Sequence, residues 1–85
     1  MEYKWIGNYS IKTKMDSDSF IITANKDGLL SLASILTYMA NNDELFDGWH
    51  MHLDQYSSLE TGSVELILEK DNSITQIKVN AEKNE

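Results

Sequence analysis

The spacing of apolar and polar positions divides the chain into segments of two periods. Residues 9–15 and 19–24 alternate, which predicts two strands. A turn at Asp16-Ser17 sets Thr13 opposite Phe20, Ile11 opposite Ile22 and Tyr9 opposite Ala24, all on one face. Ser10, Lys12, Lys14, Ser19 and Thr23 then share the other face, a sorting that a one-residue slip would destroy. Residues 2–6 form an earlier strand or extend the first one, and Gly7-Asn8 suits either a turn or a bulge. From Lys26 to Asn41 the period becomes helical. Leu29, Leu32, Ala33, Leu36, Met39 and Ala40 make a wide apolar stripe, opposite Lys26, Ser31, Ser34, Thr37 and Asn41. Asn25 or Asp27 suits the helix start, and Asn41-Asn42 its stop.

Alternation returns at residues 49–53, with Trp49, Met51 and Leu53 to one side and His50, His52 and Asp54 to the other. Residues 55–62 read as a polar loop with Tyr56 and Leu59 as anchors. Residues 63–70 and 73–79 flank Asp71-Asn72 as a hairpin. That pairing gathers Val64, Leu66 and Leu68 on one face and Glu65, Ile67 and Glu69 on the other. The expected order is β-β-α-β-β-β: an α+β fold, a mostly antiparallel sheet with one helix packed on one face. Residues 1–80 are expected to form one domain, and residues 81–85 a frayed tail.

Charge sharpens this picture. The chain has 85 residues and a net charge of −7. Eight acids (Asp43, Glu44, Asp47, Asp54, Glu60, Glu65, Glu69 and Asp71) and one base, Lys70, fall between residues 43 and 71, so this stretch carries the whole −7. The remaining six acids and six lysines cancel. Such acidity keeps a small protein soluble. A one-sign field also repels nucleic acid and draws basic partners inward. All seven bases are lysines, so the bidentate phosphate fork of arginine is missing. There are no cysteines, hence no disulfides or thiolate metal sites. The first residues do not read as a signal peptide and no apolar run reaches a membrane span, so a soluble, cytoplasmic protein is expected.

Candidate chemistry is sparse. His50-Met51-His52-Leu53-Asp54 is the one cluster resembling a metal site, because strand alternation lines up two imidazoles and a carboxylate roughly 7 Å apart. Glu60 or Glu65 from a neighbouring strand could add a ligand. The plainer reading is a solvated polar strand face with two ordinary histidines, and no metal is expected. No Gly-x-Ser-x-Gly elbow, phosphate-cradling loop or His-Glu-x-x-His is present, so neither catalysis nor a cofactor is expected. Leu45-Phe46-Asp47-Gly48-Trp49 places large apolar groups among acids. Trp49 reads as core, whereas Phe46 suits core and interaction anchor equally.

Three stretches resemble a known family. Gly28-Leu29-Leu30 at the helix start, Gly48-Trp49-His50-Met51-His52-Leu53-Asp54, and Leu59 through Lys70 look like the small immunity proteins of bacterial polymorphic toxin systems, the immunity protein 32 family in particular. The likeness spans about residues 20–70. It implies a protein that binds a cognate toxin domain and blocks it, and it carries no residue-level map. The expected partner is a basic toxin protein, with neither nucleic acid nor membrane involved, and the chain acts as monomer or homodimer. The expected binding residues are Asp43, Glu44, Phe46, Asp47, His50, His52, Asp54, Glu65, Ile67 and Glu69. Protonation of the two histidines would weaken the field, so binding there should loosen toward acid pH. Another small interaction module or regulatory subunit is the alternative, followed by a His/Asp metal-binding domain.

Overall fold

The computed structural model describes residues 2–74. It shows an α+β fold in the order β1 (Ile11–Asp16), β2 (Ser19–Ala24), α1 (Lys26–Asn41), β3 (Trp49–Leu53) and β4 (Leu66–Lys70). The strands form two antiparallel pairs, β1 with β2 and β3 with β4, rather than the one sheet expected. The expected strand over residues 73–79 and the tail lie for the most part outside the described residues.

The first hairpin turns one residue later than expected. Asp16 pairs with Ser19, and Ser17 takes a positive φ of 56° at the first loop position, as two-residue hairpins require. Thr13 therefore faces Ile22 and Ile11 faces Ala24. The two registers differ by an even number of residues, so the sorting of faces survives. Asn25 holds the observed register. Its Oδ1 accepts from the Ser10 N–H (3.0 Å) and also from the Gly28 N–H (2.7 Å), which caps α1. Asn25 N–H donates in turn to Ser10 O at 3.1 Å.

The helix presents a different face to the core from the one expected. Gly28, Ser31, Ile35 and Met39 are buried, with Leu32 half-buried, while Leu29 and Leu36 are 56% and 50% exposed. Ala33 and Ala40 are exposed too. The cause is the segment before β1, which is not a strand but an extended chain hung along the helix. Lys4 N–H donates to Ser34 Oγ, Ile6 N–H to Ser31 Oγ (both 2.8 Å), and Asn8 N–H to Asp27 Oδ2 (3.1 Å). Backbone donors need acceptors, so the hydroxyl-bearing side of α1 turns toward this segment. Tyr3 adds an edge contact to Tyr38 at 5.2 Å.

The core joins the two sheets. Ile11, Leu53, Leu59 and Leu66 form its buried centre, with Tyr9, Ala24, Leu32, Met51 and Leu68 against it. Residues 60–64 run beside the second edge of β1: Glu60 N–H donates to Ile11 O (2.9 Å) and Val64 N–H to Thr13 O (3.2 Å). Thr13, fully buried, donates its own N–H to Ser63 Oγ and its hydroxyl to Val64 O. The chain thus changes partners near residue 65, which shortens β4 from the expected start at 63 and leaves Val64 exposed at 42%. Leu59 is the buried anchor of its loop, whereas Tyr56 is 88% exposed.

Candidate functional site

Strand alternation gives the β3–β4 pair two unlike faces. Trp49, Met51 and Leu53 pair with Lys70, Leu68 and Leu66, all turned inward. On the outer face His50 pairs with Glu69 and His52 with Ile67. Glu65 joins them from just beyond β4: its Oε2 lies 2.7 Å from Nδ1 of His52, both side chains being about half exposed. His50 Nδ1 lies 2.9 Å from Gly48 O, two residues back on its own strand. The two imidazole rings meet edge to face with centroids 5.0 Å apart. Ile67, 49% exposed, is an apolar island among these polar groups.

Phe46 lies on the loop between α1 and β3 that leads into this strand pair, its carbonyl accepting from Trp49 N–H at 3.0 Å. It is 68% exposed and is therefore not core, whereas Trp49 is half-buried and meets Tyr38 edge to face at 6.3 Å. Gly48, with φ of +95°, swings the chain from this loop into β3 and donates its N–H to Lys70 O at 2.7 Å. Asp43 and Glu44 are exposed on the same loop.

Besides Glu65, three of the eight acids are hydrogen-bonded through their carboxylates. Asp47 Oδ1 accepts from Asn72 N–H (2.9 Å), tying the loop to the chain after β4. Asp54 Oδ1 accepts from Tyr56 N–H and Ser57 Oγ–H (3.0 and 3.1 Å), which commits it to a turn instead of the open face. Asp71 accepts from the hydroxyl and N–H of Ser73, and these bonds, the hydroxyl's first, hold its carboxyl below the usual range. The single base of the stretch, Lys70, is buried, with Nζ donating to Asn42 O at 2.8 Å. The sequence contains no local signal for that contact, nor for the His52–Glu65 pair beyond their shared face.

Among the described residues no group of three or more His, Asp or Glu side chains is arranged to hold a metal, so Asp54 is not the third ligand suggested by its spacing. A groove of about 320 Å³ lies elsewhere, along α1, lined by Glu2, Leu30, Ala33, Ser34, Thr37 and Tyr38. It brings no pair of carboxylates or imidazoles together. No helix among the described residues is long and apolar enough to cross a membrane.

Fold and face define a small α+β protein with an open sheet surface lined by imidazoles, carboxylates and one exposed aliphatic side chain. The chain belongs to the immunity protein 32 family, whose model matches residues 19–71, more than half of its length. That span runs from the start of β2 to just past β4 and so includes the helix and the whole β3–β4 face. No curated protein and no solved structure is matched by the chain.

Proposed function

We propose that this protein neutralises a cognate bacterial toxin domain by binding it through the β3–β4 outer face and the adjoining loop. Membership of the immunity protein 32 family carries this reading. The family implies a toxin partner, and the chemistry of the face suggests what kind. Glu65, Glu69, Asp43 and Glu44 offer carboxylates to solvent, while the one lysine of the stretch is turned inward. A field of this sign complements a basic surface and steers it into place. Phe46 and Ile67 supply the apolar contacts that hold a complex once formed.

The test begins with rescue. Cells expressing a candidate toxin domain from the same genome should survive when this chain is co-expressed and die without it. Association rates with that purified toxin then test the face. The double variant Glu65→Lys, Glu69→Lys should associate about tenfold more slowly at low salt, with a flatter salt dependence. Rescue by a chain whose doubly reversed variant binds as fast as the parent would retain the toxin partner and move the interface elsewhere.

A further inference from the structure

We propose that His50 and His52 form a two-imidazole site for a divalent transition-metal ion of the zinc, copper and nickel class. The inference concerns this chain alone and stands apart from the toxin reading.

Both rings are already held as ligands need to be. Nδ1 of His50 has a carbonyl acceptor, Gly48 O, at 2.9 Å, and Nδ1 of His52 has a carboxylate acceptor, Glu65 Oε2, at 2.7 Å. In the neutral ring these contacts place the proton on Nδ1 and leave the lone pair on Nε2. Metal-binding histidines are oriented in this way, with the second ring nitrogen donating to a carbonyl or carboxylate. The two acceptors lie at opposite ends of the pair. Gly48 precedes His50, while Glu65 lies beyond the Leu53–Leu66 pair, past His52. Each ring is therefore anchored from its outer side, and among the described residues neither Nε2 has a hydrogen-bond partner.

The spacing suits one shared ion. With metal–nitrogen bonds of about 2.0–2.1 Å, two imidazoles on one ion hold their centroids roughly 4.5–5.2 Å apart as the ligand angle opens from square to tetrahedral. The observed separation is 5.0 Å. Both side chains are exposed, so an ion has a path in, and water fills its remaining positions. Glu69, the cross-strand partner of His50, places a carboxylate on the same face, and the −7 of residues 43–71 raises the local concentration of cations.

The decisive experiment titrates tag-free protein with Zn²⁺ alone at pH 7.5 and follows the imidazole ¹⁵N resonances. Both Nε2 signals should move together and saturate at one ion per chain, with each Nδ1 still protonated. His50→Asn and His52→Asn should each weaken binding about tenfold or more, and Glu65→Gln should weaken it about tenfold by releasing the His52 ring. All three positions are exposed, and melting curves without metal should stay unchanged. Absence of a saturable shift at micromolar Zn²⁺ overturns the site. So does undiminished binding in either histidine variant, or a shift at Nδ1 in place of Nε2.

Discussion

Residues 25 and 28 show how much of this fold rests on single atoms. Asn25 closes the β1–β2 ladder, caps α1 and, through Nδ2, donates to Asn8 O at 3.0 Å, so one side chain joins three segments. Its capping role was legible because polar caps before an apolar period follow a general rule, although Asp27 was an equal candidate. Gly28 was legible only as a helix residue. In the fold it is the point where α1 meets the hairpin. A Cβ there would lie 2.5 Å from Ser10 O and 3.0 Å from both Ala24 Cβ and Ile11 Cγ1. Ser10 O is backbone and already accepts from Asn25 N–H, so it cannot yield without loosening the cap. Gly28→Ala gains up to about 1 kcal/mol of helix propensity, less than the cost of forcing the elements apart, about 1–3 kcal/mol for overpacking. The variant should therefore lose about 1 kcal/mol, read as a midpoint shift in urea. Equal or greater stability would mean that the helix start shifts freely against the hairpin.

At the level of elements, the period of each segment was readable and its rotation was not. The helix spans the expected residues 26–41, yet Leu29 and Leu36 face out while Ser31 and Gly28 face in. Hydrophobicity ranks faces only when the neighbours demand nothing else, and here the 2–9 segment demands hydroxyl acceptors from α1. The strand over residues 63–70 was similarly read by period alone. Its division between β1 and β3 depends on which edges the fold leaves open, which no local pattern states. Lys70 is the clearest case of an element completed from a distance. The last turn of α1 holds no basic residue, and the cation at its negative end comes from β4 through Lys70 Nζ and Asn42 O. Lys70→Met keeps the aliphatic stem but removes a charged hydrogen bond to the C-cap. A loss of about 1–3 kcal/mol is expected, or some 4–8 °C in melting temperature per kcal/mol for a chain of this size. Hydrogen exchange should locate the loosening in the last turn of α1, and uniform loosening would assign Lys70 a core-packing role instead.

Over the whole molecule, the sequence placed all the net charge in residues 43–71, and the structure shows what part of it reaches a surface. Asp54 and Asp71 hold turns, Asp47 ties the α1–β3 loop to the chain after β4, and Lys70 is drawn inward to the helix end. Asp43, Glu44, Glu60, Glu65 and Glu69 are exposed and take no part in those contacts, whereas the one base of the stretch is buried. The exposed apolar groups beside them, Phe46 and Ile67, do a separate job in the proposed complex. Long-range charge acts before contact and sets the rate of encounter, whereas desolvated apolar contacts form only in the docked state and set the rate of escape. The two kinds of substitution should therefore separate kinetically. Phe46→Ala and Ile67→Ala should each speed dissociation from the toxin about tenfold or more, since buried anchors dominate affinity. Both should leave the association rate and its salt dependence within about twofold of the parent. The Glu65→Lys, Glu69→Lys variant should do the reverse. Stopped-flow association and surface-based dissociation across a salt series measure both. If Phe46→Ala and Ile67→Ala leave dissociation untouched, the apolar island is a bystander and the partner is held by charge alone.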